Sequence, residues 1–198
     1  MDTVTIKTYN QLAKVYDEET VDFWAGFPAI FIDEFTKRVL GNVLNVGSGP
    51  GRDSILLRDR GIDVLCIDAS EAMVKMTEAQ GFGSILCDFE AMPFADGEFG
   101  GVWAYTSLLH VPKAEVGKSL KEIYRVLKSG GAFALGMIEG EFDAYRESSD
   151  IHLLRWFSFY SKAELEELLK SHGFEIVYFS EYRPGTKNYL NFIAVKGD

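Results

Sequence analysis

Three glycines at alternate positions, Gly47, Gly49 and Gly51, follow a short apolar run and are the clearest sign of chemistry in this sequence. The run from Val43 to Val46 predicts a buried strand, and the residues after Gly51 predict the start of a helix. Ligands of parallel α/β sheets bind beyond the carboxyl ends of the strands, where glycine lets the backbone approach a ligand closely. The segment therefore indicates a ligand-binding turn, with a tight strand-to-helix connection as the alternative.

Acidic residues end the next two predicted strands. Asp68 follows the run from Val64 to Ile67, and Asp88 follows a strand that ends at Cys87. A carboxylate at the first position accepts hydrogen bonds from ribose hydroxyls, and one at the second is in reach of an adenine amino group. The pair predicts a nucleoside ligand. The alternative is that either acid caps a helix or lies in a solvated loop.

The spacing of the glycines separates the possible nucleosides. A dinucleotide site carries Gly-x-Gly-x-x-Gly, whose last glycine falls at Arg52, and this chain has Gly-x-Gly-x-Gly instead. A Walker-type phosphate loop requires Gly-Lys-Ser/Thr after a longer spacer, and that run is absent. The pattern disfavours both of these phosphate-binding sites.

Strands and helices alternate from residue 43 onward, which predicts βαβ units and a mainly parallel sheet covered on both faces, the α/β class. The last two strands are joined by a short loop with Arg183-Pro184-Gly185, so they are predicted to form an antiparallel hairpin. The predicted strands are Val43 to Val46, Val64 to Ile67, Ser84 to Cys87, Val102 to Tyr105, Ala132 to Ile138, Glu175 to Phe179 and Tyr189 to Val195.

Two helices in the second half of the chain have clear end signals. Apolar residues recur at helical spacing from Val116 to Leu127, and Ser129-Gly130-Gly131 is predicted to end that helix. Ser161 and Glu164 form a capping box ahead of a Leu-rich helix that stops at Gly173.

Two further helices are predicted upstream of the sheet. One is short and capped within Thr8-Tyr9-Asn10-Gln11, and the second opens at Pro28 and ends at Gly41. No linker, repeat or low-complexity tract divides the chain, which predicts one domain over residues 1–198. Its predicted segments are an N-terminal helical extension (1–41), a ligand-binding core (42–138), a lid-like insert (139–160) and a C-terminal helix and hairpin (161–198).

The composition of the chain limits the classes of partner and the cellular compartment to be expected. The 30 acidic and 20 basic residues give a formal net charge of −10 and a pI of about 4.8, which disfavours nucleic acid as a partner. The chain lacks a cationic and apolar leader and any run long enough to span a membrane, so a cytoplasmic protein with no membrane partner is expected. Cys66 and Cys87 lie in apolar strands and are predicted to be buried thiols, with no metal site.

Together these motifs resemble a known family, the class I S-adenosylmethionine-dependent methyltransferases of the small-molecule type. The resemblance extends from the Tyr9 segment through Leu108-Leu109-His110-Val111-Pro112 to the final hairpin, which is nearly the whole chain. It implies a Rossmann-like three-layer sandwich. The implied sheet has seven mostly parallel strands in the order 3-2-1-4-5-7-6, with an antiparallel last strand.

The resemblance also implies the cofactor, S-adenosyl-L-methionine, and its contacts. In the family the glycine turn packs against the methionine part, the acid after the second strand binds the ribose hydroxyls, and the next acid and its neighbour hold the adenine. An N-terminal tyrosine often closes over the cofactor. The residues at the matching positions here are Tyr9, Tyr16, Gly47, Ser48, Gly49, Gly51, Arg52, Asp68, Ala69, Met73, Asp88, Phe89 and Tyr105.

One position departs from the family's pattern. Many members carry an acid two residues before the first glycine, where this chain has Asn45. An amide hydrogen-bonds water or an ammonium group but adds no charge. The substitution therefore removes a negative charge from the expected cofactor site.

The residues that would contact a substrate or take part in the reaction are predicted from their position in the chain. His110, after the fourth strand, is the candidate catalytic base, with a structural histidine as the alternative. Trp24 in the extension, and Tyr145, Arg155 and Tyr160 in the insert, are predicted to contact a small, partly apolar substrate. The alternatives are rings that cover a sheet edge or a dimer contact, and an arginine that forms a surface ion pair with a neighbouring acid.

Methyl transfer to a small-molecule acceptor by in-line displacement is the leading hypothesis for function. One alternative is a non-catalytic cofactor-binding or regulatory subunit, which Asn45 mildly favours. The other is a dinucleotide-dependent oxidoreductase, which Arg52 disfavours. The Asp/Asn-Pro-Pro-Tyr and Pro-Cys motifs of DNA-directed methyltransferases are absent. A monomer or a homodimer is expected, and the sequence leaves the acceptor atom open.

Overall fold

A seven-stranded sheet forms the centre of the computed structural model, which describes residues 2–147 and 153–197. The order of its strands is β3-β2-β1-β4-β5-β9-β8; all neighbours are parallel except that β9 runs antiparallel to both β5 and β8. This order confirms the prediction, because the two additional strands of the chain lie outside the sheet. The bounds are β1 Val43–Val46, β2 Val64–Asp68, β3 Gly83–Leu86, β4 Phe99–Tyr105, β5 Leu127–Ile138, β8 Phe174–Tyr182 and β9 Tyr189–Lys196.

Helices cover both faces of the sheet. On one face, Phe31 and Leu57 belong to a buried apolar cluster; on the other, Leu120 and Leu165 belong to a second cluster. Neighbouring residues of β1 alternate between the clusters, as a strand buried on both faces requires. The helices are α1 Thr3–Glu19, α2 Val21–Ala25, α3 Ala29–Thr36, α4 Arg52–Arg58, α5 Glu71–Ala79, α6 Val116–Val126 and α7 Lys162–Ser171. The three layers of the predicted sandwich are therefore present.

The end of α6 differs from the prediction, whereas the start of α7 agrees with it. Ser161 and Glu164 make both hydrogen bonds of the capping box at α7. The glycines after α6, however, do not end that helix. Leu127 already has extended dihedral angles, and β5 begins there. The register between β4 and β5 shifts across residues 128–131, so the glycines bend the chain inside β5.

The N-terminal extension contains three helices where two were predicted. The first does not start within residues 8–11: α1 begins at Thr3, because the carboxylate of Asp2 accepts a hydrogen bond from the Thr5 N–H at 2.7 Å and caps it. The short α2 was missed. Pro28 precedes α3 as predicted, but this helix ends at Thr36 rather than Gly41.

The insert after β5 forms an antiparallel hairpin of β6 (Asp143–Glu147) and β7 (Leu154–Ser158); residues 148–152 of the insert lie outside the described residues. The hairpin is hydrogen-bonded to α1. The N–H of Trp156 donates to Thr5 Oγ1 at 2.8 Å, and Thr8 Oγ1 donates to the carbonyl of Leu154 at 2.7 Å. Helix α1 and strand β7 are thus joined directly by hydrogen bonds.

Candidate active site

The glycine turn between β1 and α4 adopts a backbone conformation that favours glycine. The φ angle is +72° at Gly47, +53° at Gly49 and +87° at Gly51, all in the left-handed region. A Cβ atom at Gly47 would overlap the side chain of Ser107, whose hydroxyl donates to the Val46 carbonyl at 2.6 Å. The turn is therefore packed tightly against the residues that follow β4.

One side of this turn faces a cavity, which we call the glycine-turn cavity. All the predicted cofactor residues line it except Gly51, Ala69 and Asp88. Trp24 and His110 line it as well. Pro50, Asp53 and Ser107, which sequence reasoning did not single out, complete the wall together with Thr106.

The carboxylate of Asp68 is fixed at the end of β2. Its Oδ2 accepts from the Gly49 N–H at 2.9 Å, and its Oδ1 accepts from the Ser70 N–H at 2.8 Å. Burial raises the pKa of Asp68 to about 6, while these backbone hydrogen bonds oppose the rise. The same acid therefore shapes the glycine turn and presents carboxylate oxygens to the cavity.

The predicted cofactor residues outside the cavity wall lie close behind it. Gly51 is the N-cap of α4, and the backbone of Ala69 hydrogen-bonds the Asp68 carboxylate. Asp88 accepts from the Glu90 N–H at 3.0 Å through Oδ1. Its neighbour Phe89 is buried and lines the cavity. Contact between Asp88 and an adenine therefore stays a prediction.

Asn45 lies beside a buried acid that the sequence did not reveal. Its Nδ2 donates at 2.8 Å to Asp53 Oδ1, which also accepts from the Ser54 N–H at 2.8 Å. Trp103 Nε1 donates to the other oxygen of Asp53 at 3.0 Å. Burial raises the pKa of Asp53 to about 7 against these hydrogen bonds. A carboxyl group is thus present near the expected position, but it comes from α4 rather than β1.

Helix α1 is attached to the rim of the glycine-turn cavity at two places. Arg52 Nε donates to Asp17 at 2.6 Å. Asn10 Oδ1 accepts from the Ser70 hydroxyl at 2.8 Å and from the Ala72 N–H at 3.0 Å. These bonds hold Tyr9 and Tyr16 of α1 against the cavity.

The ring of His110 is buried, and both of its nitrogens are hydrogen-bonded. Nδ1 lies 2.7 Å from the carbonyl of Trp156, which only accepts, so Nδ1 carries the proton. Nε2 therefore accepts from the Tyr9 hydroxyl at 2.6 Å, and Arg155 Nη1 donates to the oxygen of Tyr9 at 3.1 Å. Burial lowers the pKa of His110 to about 3, which keeps the ring neutral.

A second cavity, of about 280 Å³, adjoins the first, and we call it the acceptor cavity. The two cavities share Tyr9, Tyr16, Trp24, Thr106 and His110 as lining residues. Among the four residues predicted to contact substrate, Trp24 and Arg155 line the acceptor cavity.

The remaining two predicted substrate residues lie elsewhere. Tyr145 is exposed and donates to Asp2 at 2.6 Å. Tyr160 is buried in the apolar core. Neither lines the glycine-turn cavity or the acceptor cavity. Tyr145 of β6 instead contacts Asp2 beside α1, and Tyr160, which follows β7, packs into the core on one face of the sheet.

The donor set of the glycine-turn cavity fits S-adenosylmethionine. A Cβ atom at Gly49 would meet Tyr16 only at 3.9 Å, so the glycine leaves open space beside the backbone. The Asp68 carboxylate has acceptor capacity beyond its bonds to the backbone, as ribose hydroxyls need. The buried side chains of Met73 and Phe89 supply apolar surface for a ring. No group of three or more His, Cys, Asp or Glu side chains in residues 2–147 and 153–197 is arranged to hold a metal ion.

Comparison with known proteins gives consistent matches. Residues 44–135 match a family model described as a methyltransferase domain. A malonyl-[acyl-carrier protein] O-methyltransferase from Pseudescherichia vulneris is 31% identical over 107 residues, 53% of this chain and 42% of the relative. The chain spans between 39% and 62% of the length of the first curated relatives that it matches.

Two solved structures share the fold over almost the full chain. The DhpI–SAH complex has a TM-score of 0.81 at 23% identity and covers 98% of this chain and 96% of its own. A 1,6-didemethyltoxoflavin-N1-methyltransferase from Burkholderia thailandensis, with S-adenosylhomocysteine bound, has a TM-score of 0.76 at 21% identity and covers 98% and 88%.

The sheet order and the glycine turn define a Rossmann-like domain. Its residues 44–135 are similar to the methyltransferase-domain family, and the two solved structures share its fold. Within the described residues, no helix has the length and apolar character needed to cross a membrane.

Proposed function

We propose that this chain transfers a methyl group from S-adenosylmethionine to a small-molecule acceptor that binds in the acceptor cavity. The supporting observation is that the acceptor cavity and the glycine-turn cavity share a wall of five residues, Tyr9, Tyr16, Trp24, Thr106 and His110. Two molecules bound in these cavities meet at that wall. A lone binding site for a nucleoside would not require the second cavity.

Residues from three strand ends would hold the cofactor. Gly47 and Gly49 offer close backbone approach, Asp68 offers its carboxylate to the ribose, and Met73 and Phe89 flank the base. Asp88, Ala69 and Gly51 would contribute from the adjoining backbone. When bound, S-adenosylmethionine supplies an activated methyl group, which a nucleophilic atom of the acceptor takes by in-line displacement.

The protein's own contribution is orientation and exclusion of water. Orientation of two reactants is worth roughly 7–11 kcal/mol of barrier in favourable cases. Helix α1 lines both cavities, β7 lines the acceptor cavity, and the two elements are hydrogen-bonded to each other. Because these elements would limit the entry of water, the acceptor rather than water would face the methyl group.

We assign His110 a positioning role in this reaction instead of the predicted role as general base. Both ring nitrogens are hydrogen-bonded, and a pKa of about 3 makes the ring a poor proton acceptor at neutral pH. His110 instead fixes the hydroxyl of Tyr9, which lines both cavities. An acceptor whose nucleophilic atom needs little activation fits this site best.

Calorimetry with S-adenosylmethionine, S-adenosylhomocysteine and NADH tests the nucleoside assignment. We expect the first two ligands to bind and NADH not to bind. Binding of NADH alone would overturn the assignment and favour the oxidoreductase alternative. Substitution of Asp68 by alanine is expected to weaken S-adenosylhomocysteine binding, and unchanged affinity would contradict the role given to that carboxylate.

A mass-spectrometric scan of candidate metabolites for the gain of one methyl group tests the transfer itself. A methylated product that depends on the cofactor supports the proposal. Cofactor binding without any product across a broad panel would instead favour the non-catalytic subunit. Size-exclusion chromatography of the same samples distinguishes a monomer from a homodimer.

A further inference from the structure

The acceptor cavity is lined by both apolar and charged side chains. Phe23, Trp24, Phe157 and Tyr189 supply rings, and Leu109 and Ile138 supply aliphatic surface. Two cations, Arg155 of β7 and Lys187 of the β8–β9 loop, also line the cavity, with Glu19 of α1 as an acid in the same wall. An uncharged apolar acceptor has no need of these cations.

The guanidinium of Arg155 is oriented by ring contacts, but most of its N–H donors form no hydrogen bond with the described residues. It packs over the rings of Tyr9 and Phe157, with centroid distances of 5.3 and 5.1 Å. Of its five N–H donors, one bonds a protein group in the described chain, the 3.1 Å contact of Nη1 with Tyr9. Its Nε is buried without a hydrogen-bond partner among these residues.

Two of the acids near Arg155 in sequence form hydrogen bonds with other residues. Glu139 accepts from Asn188 Nδ2 at 2.9 Å, and Asp143 accepts from the Ser158 hydroxyl at 2.7 Å. Within the described ranges, no carboxylate lies within ion-pair distance of Arg155 or Lys187. The surface ion pair that the sequence allowed for Arg155 is therefore not formed there.

Positive charges are concentrated at this point of an acidic protein. Partial burial, then the charges of Arg146 and Arg155, lower the pKa of Lys187. The chain as a whole carries a formal net charge of −10. Cations placed side by side repel one another, and a bound anion removes that cost.

We propose that the methyl acceptor carries a carboxylate or phosphate group on an aromatic or other apolar body, and that Arg155 and Lys187 bind this anionic group. The rings of the acceptor cavity then contact the apolar body. Arg155 also donates to Tyr9 in the wall shared with the glycine-turn cavity, so the anionic group would be held beside the point where the two molecules meet. The identification of the bound molecule as a methyl acceptor rests on the proposed function, whereas the anion-binding site itself does not.

Binding of small probes to the S-adenosylhomocysteine complex tests the inference. Benzoate, phenyl phosphate and the neutral benzamide are titrated by nuclear magnetic resonance or calorimetry. We expect one or both anions to bind and benzamide to bind at least tenfold more weakly. Preference for benzoate or for phenyl phosphate identifies the anionic group. Equal binding of benzamide and both anions would overturn the inference.

Matched variants locate the site. Lys187→Gln and Arg155→Gln are each expected to weaken binding of the preferred anion about 10- to 100-fold, the size of a lost hydrogen bond to a charged group. Arg155→Lys keeps the charge and is expected to retain part of the affinity. The control is Arg183→Gln on the same loop, which lies outside the acceptor cavity and pairs with Glu139 and Glu181. Equal losses in Arg183→Gln and Lys187→Gln would contradict a specific site.

Failure of the inference and failure of the proposed function are distinguishable. Anion binding is measured without turnover, so it is tested even when no product is found. If S-adenosylhomocysteine does not bind, the titration is repeated on the free protein. Once an acceptor is known, Lys187→Gln is expected to raise its KM with little change in kcat, whereas S-adenosylhomocysteine affinity stays unchanged. A methylated acceptor without any anionic group would overturn the inference and leave methyl transfer intact.

Discussion

The glycine-turn cavity and the acceptor cavity share a wall but are built differently. In the first, the backbone of the glycine turn is fixed by the end of the next strand, as the Gly49 N–H bonded to Asp68 shows. In the second, long side chains from distant segments converge: Arg155 meets Tyr9 across 146 residues of sequence. The first cavity therefore tolerates little change in backbone, and the second allows the chemistry of its side chains to vary while the fold stays the same.

Gly47→Ala is expected to have the largest effect, because it combines steric overlap with backbone strain at the first cavity. The new methyl group would overlap Ser107 and approach Phe89. A left-handed residue other than glycine costs roughly 1–2 kcal/mol, and overpacking adds typically 1–3 kcal/mol. Urea unfolding and S-adenosylhomocysteine titration are expected to show lower stability and at least tenfold weaker binding.

Gly61→Ala is the matched control for this prediction. Gly61 also has a positive φ of +79°, but a Cβ atom there meets nothing within 4 Å. It therefore reports the backbone strain alone, with unchanged cofactor affinity. Equal effects of the two variants on both measurements would show that the close approach at Gly47 is unimportant.

The next prediction concerns the loss of stability when the amide of Asn45 or the acid of Asp53, which lie beside the glycine turn, is exchanged for the other group. Asn45→Asp restores the acid common in the family, yet it places two buried carboxyl groups against each other, because Asp53 already lies within 2.8 Å. Asp53→Asn leaves an amide facing the donors Asn45 and Trp103. Each variant is expected to lower the free energy of unfolding by about 1–3 kcal/mol.

The double variant Asn45→Asp/Asp53→Asn tests whether the two positions act as a pair. It restores one acid and one amide, so at least half of the lost stability is expected to return. Losses that simply add would contradict the pairing. Calorimetry on the same variants shows whether cofactor affinity depends on the presence of an acid at either position or on which of the two positions carries it.

A further effect, spread over the range from about pH 4 to about pH 7, is the pH dependence of stability that Asp53 contributes. Its pKa rises from the ordinary 3.8 to about 7 on folding because of burial. The folded chain thus binds more protons than the unfolded chain in this interval, so the free energy of unfolding falls as pH rises from about 4 to about 7, by at most about 1.4 kcal/mol per pH unit. Urea unfolding of the protein and of Asp53→Asn measures the difference; an identical slope would contradict the raised pKa.

The difference between the two cavities explains which of their residues could be predicted from the sequence and which could not. Gly47 and Asp68, which line the first cavity, were predicted because strand ends and closely spaced glycines leave local signatures, whereas the sheet order and Met73 were implied only by the family resemblance. Asp53 was missed because its meaning depends on Trp103, 50 residues away. The start of α1 was wrong because Thr8 bonds the Leu154 carbonyl, a tertiary contact, and does not cap a helix.

The smallest predicted effect compares the hydroxyls of two tyrosines, Tyr9 and Tyr160. Tyr9→Phe removes the hydroxyl that donates to His110 and accepts from Arg155, so it is expected to cost about 1 kcal/mol of stability. Tyr160→Phe removes a hydroxyl with no hydrogen-bond partner in residues 2–147 and 153–197, and it is expected to leave stability and methyl transfer unchanged.

Nitrogen-15 spectra of His110 should show protonated Nδ1 in the unaltered protein, because its partner is the Trp156 carbonyl. A proton on Nε2 instead would contradict the hydrogen-bond direction between Tyr9 and His110 and, with it, the positioning role assigned to that ring.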